Sequence, residues 1–298
     1  MFEKAKFVIF ITFWHSFFLI PLDKSKIRQV LSKITMHRII SALFLSVFFV
    51  SFNSSAQETS KNTAFTFGEE LNFEVSYGWL DLAEAKLQIG RRPQNHDGIP
   101  HYKIDVFGKT KGAATLFGRV NNNWGAIINP QTMLPLRSYR HIEEGKYRKH
   151  ELVYLDQKNK KARVELYDRE NRNLKEAREY DLKSEVQDLV SGFYYLRSLD
   201  LSNLKTGEII TIKGFFDNET YNIKLIYEGT ERIETQLGAK DTYIFSPEIP
   251  PNKLFRGTYP VKVWVTKDQN KIPVKIKANL FLGSLNLDIV SIKGLRNN

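Results

Sequence analysis

From residue 65 onward, apolar and polar residues alternate with a period of two along most of this chain. Leu71, Phe73, Val75 and Tyr77 are interleaved with Asn72, Glu74 and Ser76, the pattern of a strand with one buried and one solvated face. Ala83, Ala85, Leu87 and Ile89 repeat it against Glu84, Lys86 and Gln88, and Gly78 to Leu82 joins the runs, so 69–90 reads as a hairpin. After the turn signature Asn95-His96-Asp97-Gly98, Tyr102, Ile104 and Val106 mark the next strand. Further strands are predicted over 122–128, 136–142, 147–155, 162–167 and a polar run to Tyr180. They resume over 209–215, 220–227, 231–235, 241–246, 259–266, 272–278 and 283–292. Strand after strand, without intervening helices, argues against βαβ units. The predicted fold is all-β: an antiparallel open or flattened β-barrel, or curved sheet, with one short helix packed on it.

That helix is the one break in the pattern. Over 184–198, Val186, Leu189, Val190, Phe193 and Leu196 fall on one helical face, with Ser184 placed as the N-cap. An apolar face of this size must cover something, and the sheet is the nearest apolar surface. The helix is expected to plug or lid it, with Phe193 buried and Tyr194 or Tyr195 lining any remaining cavity.

Residues before 65 read differently. Met36-His37-Arg38, an apolar run from Ile39 to Phe52, and Ser54-Ser55-Ala56 reproduce the order of a secretory signal, with cleavage expected between Ala56 and Gln57. The run is shorter than the roughly 20 apolar residues of a spanning helix. The expected organisation is a mis-called upstream extension or long signal n-region over 1–35, a signal peptide over 36–56, a flexible leader over 57–64 and a single β-rich domain over 65–295. The chain is expected to be periplasmic or secreted. Lacking cysteine, it has no residue for a lipoprotein anchor and none for disulfides or thiol chemistry.

Charge changes the picture little once targeting is separated out. The formal net charge is +11, but residues 1–56 hold seven basic and two acidic side chains, leaving +6 beyond them. A balance that mild fits a solvated surface better than a nucleic-acid footprint.

Phe67-Gly68-Glu69-Glu70-Leu71 with Tyr77-Gly78, Leu134-Pro135-Leu136-Arg137-Ser138-Tyr139, Gln187 to Arg197, and Val263-Trp264-Val265-Thr266 with Ile272-Pro273 together resemble the exported bacterial family of domain of unknown function 3108. The stretch Arg119 to Gly125 is similar to its Bacteroidetes members. The resemblance covers nearly all of 65–295 and implies a periplasmic, β-rich protein. It supplies no catalytic motif to carry over.

The remaining chemistry is sparse. Gly108-Lys109-Thr110 mimics the end of a phosphate-binding loop, but the glycine required five positions earlier is Lys103, so no nucleotide is expected. His96 and His101 bracket a turn without further ligands nearby, and no Gly-x-Ser-x-Gly elbow is present. No metal or cofactor is expected. Trp79, Trp124, Tyr139, Tyr194, Tyr195, Arg197 and Trp264 are the candidate lining of a ligand cavity, weighed against ordinary core filling. Arg197 could meet the helix C-terminal carbonyls, Asp188 or another carboxylate. Arg137, Arg140, Arg148 and Lys149 make the 136–155 hairpin basic and are the candidate anion contacts. With Glu144-Gly145 at its tip, Arg140 would oppose Lys149, Tyr139 would oppose His150 and His141 would oppose Arg148.

Three functions compete: a non-enzymatic periplasmic scaffold holding an amphipathic or lipid-like envelope ligand; an interaction protein docking an anionic glycan or outer-membrane partner through the basic hairpin; and a glycan hydrolase or lyase with unidentified carboxylates. A monomer is expected. N-terminal sequencing of the exported protein should begin within a residue or two of Gln57; an uncleaved chain retaining 36–52 would overturn the signal reading.

Overall fold

The computed structural model describes residues 62–168, 172–249, 255 and 257–297. The expected signal, its cleavage point, the upstream segment and most of the leader lie outside these residues. The first half of the sheet comprises β1 (Glu70–Tyr77), β2 (Leu80–Ile89), β3 (Gln94–His96), β4 (Ile99–Thr110), β5 (Asn121–Ile128), β6 (Pro135–Glu144), β7 (Tyr147–Asp156), β8 (Lys161–Tyr167) and β9 (Leu174–Asp181). The second comprises β10 (Ile209–Phe216), β11 (Glu219–Ile233), β12 (Lys240–Pro247), β13 (Val261–Thr266), β14 (Pro273–Asn279) and β15 (Ser284–Lys293). Two helices interrupt them, α1 (Ala114–Phe117) and α2 (Leu189–Ser198).

The strands form one antiparallel sheet in the order β10-β11-β12-β13-β14-β15-β1-β2-β4-β5-β6-β7-β8-β9, with β3 paired to β4. Neighbours in the sheet are nearly always neighbours in sequence, so short turns suffice. The single large jump brings β15 back beside β1. No ladder joins β9 to β10 among the described residues, and the barrel is open along that seam. Side chains bridge it: Phe215 of β10 packs with Tyr180 of β9 and with Val153, Leu155 and Val164.

The alternating strands fall where their periodicity placed them, with one addition, β3, which takes Asn95 and His96 from the expected turn, and one merger. The runs 220–227 and 231–235 are one strand, β11, because a bulge at Tyr227/Gly229, with Gly229 at φ +119°, bends the backbone without ending its pairing to β12.

The helix differs more. It begins at Leu189, not near Ser184, because Asp188 makes a reciprocal capping box with Ser191. Residues before it run extended: Gln187 donates to the Lys213 carbonyl and accepts from Phe215 N, both at 2.8 Å. Val186 therefore leaves the helix and fills the seam cluster. The buried face is centred on Val190, Tyr194 and Arg197, while Phe193, expected to be buried, is only half-buried. The helix does fill the concave side of the sheet. Val190 and Tyr194 pack against Ile104, Trp124 and Ile128, and Leu196 packs against Ile210, Ile212 and Phe245.

What fixes α2 there is a buried ion pair. Arg197 and Glu69 are each 1% exposed. Arg197 Nη1 and Nη2 donate to the two Glu69 oxygens at 2.6 and 2.8 Å, and Nε and Nη2 donate to the Asn270 carbonyl at 3.1 and 2.9 Å. Burial opposes the guanidinium charge, but Glu69 more than offsets it and the pKa of Arg197 is raised. Removing one partner strands a buried charge. Arg197→Met should cost about 3–5 kcal/mol in urea denaturation; a variant within about 1 kcal/mol of the parent would show that the pair does not hold the helix.

Candidate functional site: an ionic crevice under a hairpin tip

The hairpin of β6 and β7 turns through Gly145-Lys146, with Gly145 at φ +54°, the conformation a two-residue loop demands of its first position. This corrects the expected register by two residues along β7. Arg140 faces Glu151 rather than Lys149, His141 faces His150, Tyr139 faces Leu152 and Glu143 faces Arg148. The like-charge pair disappears, and an opposite-charge pair replaces it.

On the concave face, Arg140 Nε donates to Glu151 Oε1 at 2.5 Å and Nη2 reaches Asp217 Oδ1 at 2.8 Å. Lys149 Nζ lies 2.8 Å from Glu151 Oε2. Asp217 arrives from the tip of the β10–β11 hairpin, where Asp217 and Asn218 both adopt positive φ, at +45° and +67°. Phe216 comes with it and stacks on Trp124 at 6.0 Å and 19°. The Arg140 guanidinium lies 4.5 Å from the Phe216 ring centre and 5.4 Å from that of Trp124, so the cation is held by two carboxylates and two aromatic faces.

The N-terminus of α2 forms the third wall. Asp188 Oδ1 accepts from Val190 N and Ser191 N, while the buried Oδ2 has no hydrogen-bond partner among the described residues. Burial pushes the Asp188 carboxyl up to about 6, against the cap donors that pull it down. Ser138, Val153 and Leu189 complete the lining. The open space is small, with room for about one or two waters.

The outer face of the same strands carries a second polar row. Tyr139 lies flat across Gly125, where an added Cβ would collide with its ring, and donates to Asp105 Oδ1 at 2.5 Å. Burial, then the Asp105 charge, push this phenol far up. One row further, His141 and His150 meet with ring centres 4.2 Å apart, and Tyr167 lies 5.3 Å beyond His150.

The candidate residues are thus dispersed. Trp124 lines the crevice together with its cross-strand partner Arg140, whereas the ring of Tyr139, one residue before Arg140 on β6, lies on the outer face. Tyr194 is wholly buried beside the Glu69–Arg197 pair and is not among the residues lining the crevice. Tyr195 is half-buried between two clusters. Trp264 sits in the β13–β15 core and donates to Glu231 at 2.7 Å. Trp79 stands at a turn, 89% exposed. Arg197 is paired with Glu69, not Asp188. Of the anion candidates, Arg140 and Lys149 are engaged by carboxylates. Arg137 lies over the Tyr154 ring, and Arg148 donates to the Gly145 and Tyr147 carbonyls. The sequence pattern does not mark Glu151, Phe216 or Asp217 as site residues. Only Asp217-Asn218 left a signal, as a two-residue turn between alternating runs.

The sequence profile of a protein family of unknown function, DUF3108, matches residues 72–290. Among solved structures, a β-barrel-like protein of domain of unknown function DUF1849 from Brucella abortus is similar at 8% identity and TM-score 0.50, covering 77% of this chain and 99% of its own. A candidate exported protein with a YmcC-like fold from Bacteroides fragilis is similar at 9% identity and TM-score 0.32, over 78% of this chain and 99% of its own. A candidate lipoprotein from Parabacteroides distasonis is similar at 9% and 0.30, over 80% and 100%. No functionally curated protein matches the chain.

Burial lowers the pKa of both His141 and His150; the neighbouring His150 adds to the shift at His141, and Arg172 adds to it at both. A histidine depressed on folding binds fewer protons than in the unfolded chain. Its penalty is absent above the unfolded value near 6.5 and grows as pH falls toward the folded one. The double variant His141→Gln/His150→Gln should therefore lose less stability than the parent between pH 7 and 5. Parallel denaturation curves for the two proteins would refute the shift.

Proposed function

The chain belongs to DUF3108, a protein family of unknown function, and on that premise we propose that it is a non-enzymatic β-scaffold of the cell envelope holding an amphipathic, lipid-like molecule. The signal-like order of 36–56 supports the address. The carrying observation is the crevice on the concave face, where a buried cation, Arg140, lies against the aromatic faces of Trp124 and Phe216. Ligand sites combine largely apolar walls with a few convergent polar groups in this way.

The crevice as it stands is too small for such a ligand, so uptake requires the β10–β11 tip to withdraw. That tip belongs to an edge strand. Beyond β11, the main chain of β10 is held only through Gln187 among the described residues. A glycan-active reading would draw on Glu151 and Asp188, the two carboxylates that line the crevice from β7 and from the start of α2. It is the weaker one, because the space admits no sugar ring and the Asp188 carboxyl already caps α2.

Protein purified from its own envelope should release an amphipathic molecule on solvent extraction and show the added mass by native mass spectrometry. Phe216→Ala, which uncovers the face of Trp124, should raise the bound fraction. Protein that is bare in both forms would overturn the proposal.

A further inference from the structure

Exposed apolar side chains are ordinary when scattered singly over a surface. Here they are gathered. Trp79 is 89% exposed and Leu80 39% at the β1–β2 turn; Phe281 is 59% and Leu282 62% exposed at the β14–β15 turn; Leu116, in α1 between β4 and β5, is 85% exposed. These three connections are adjacent in the sheet, whose order runs β14-β15-β1-β2-β4-β5. Tyr77 of β1 pairs with both Leu80 and Leu285, and its hydroxyl donates to the Leu282 carbonyl. The α1 connection begins beside β2, where Lys111 N donates to the Leu82 carbonyl at 3.0 Å. The next turn on the same rim, between β6 and β7, brings exposed Lys146 and Tyr147 beside exposed Arg119, with Gly145 N donating to the Arg119 carbonyl.

We infer that this rim docks on a lipid bilayer, with Trp79, Leu116, Phe281 and Leu282 entering the headgroup–acyl boundary. The turns are well suited to it. Trp79, Phe281 and Leu282 sit at tight turns whose flanking main chain is paired in the ladders, so shallow insertion brings little unpaired backbone into hydrocarbon. A tryptophan suits the interface, where its ring is apolar and its N–H stays wet. Arg119 and Lys146, both exposed, lie on the side of the rim away from β14 and complement anionic headgroups. Asp81 is the exposed acid beside Leu80, and Lys109 is already paired with Glu84. The attraction therefore rests mainly on apolar insertion, with charge secondary. A protein partner would also bury apolar side chains. What favours a bilayer is the projection of the apolar residues from separate turn tips at one end of the sheet.

The test uses protein recovered from its own envelope and vesicles of phosphatidylethanolamine and phosphatidylglycerol with brominated acyl chains. The parent should partition onto the vesicles with part of its tryptophan fluorescence quenched, and Trp79→Phe should remove that quenched component. Phe281→Ser/Leu282→Ser should weaken partitioning roughly tenfold. These residues are surface turn positions, and an unchanged circular dichroism spectrum verifies folding. Every other segment is common to parent and variant, so a contribution from residues before 62 cancels. A parent that ignores vesicles, or a serine variant that binds them equally, overturns the inference. Self-association without vesicle binding, abolished by the same double substitution, also overturns it and assigns the rim to a second copy of the chain. Whether a molecule is extracted from the crevice has no bearing on any of these outcomes.

Discussion

An arginine inside an apolar core must satisfy its donors and its charge at once, and in this fold that requirement organises the interior. Arg197 is bound by both oxygens of Glu69, just before β1, and by the carbonyl of Asn270, between β13 and β14. Three rings crowd the guanidinium, those of Phe65, Phe193 and Tyr194. Lys271 then caps the end of α2, donating to the Leu199 carbonyl at 2.6 Å. The helix is therefore attached by its C-terminal turn to strands near the middle of the sheet order, and by its N-terminal capping box to the segment pairing with β10. A buried pair of this kind adds little net stability over an apolar replacement. What it does is select one position for α2 within a concave face that offers apolar contacts nearly everywhere.

The crevice is a by-product of that placement. Asp188 is in the wall because α2 starts there, and α2 starts there because its other end is fixed. The tip of the β10–β11 hairpin fills the remaining space with an aromatic ring and a carboxylate, each meeting a complementary group on β5 or β6. The two inner partners of Arg140 reach it from opposite directions, Glu151 along the sheet and Asp217 across the hollow.

Strand positions were legible in the sequence because a half-buried strand writes its period directly into residue type, as Leu71-Phe73-Val75-Tyr77 does. The start of α2 was less so: Ser184 and Asp188 are both acceptable caps, and the choice depends on Gln187 finding a ladder partner in Gly214, which is a tertiary fact. The β6–β7 register turned on whether Glu144 lies in the loop or in the strand, a difference of one position that exchanged every cross-strand pair. The crevice was least legible. Arg140, Glu151, Asp188 and Asp217 belong to four elements, and each looks like an ordinary surface residue until the sheet curls. Glu69 was visible only as part of a family-like stretch, 128 positions from the arginine it binds.

The unclosed seam separates this architecture from a true barrel. In a closed barrel, strand number and stagger together set the diameter, and no strand can be added or lost without re-registering the rest. Here the circumference ends at β9 and β10, spanned by the extended residues 186–187, which bond to Lys213 and Phe215 on one side and to the Gln157 side chain on the other. The bore is thus set by one short extended segment and the Gln157 side chain rather than by a continuous ladder between the two edge strands. The β9 edge can therefore lengthen or shorten while the Glu69–Arg197 pair, far round the sheet, keeps its surroundings; the β10 edge cannot, because α2 packs on it.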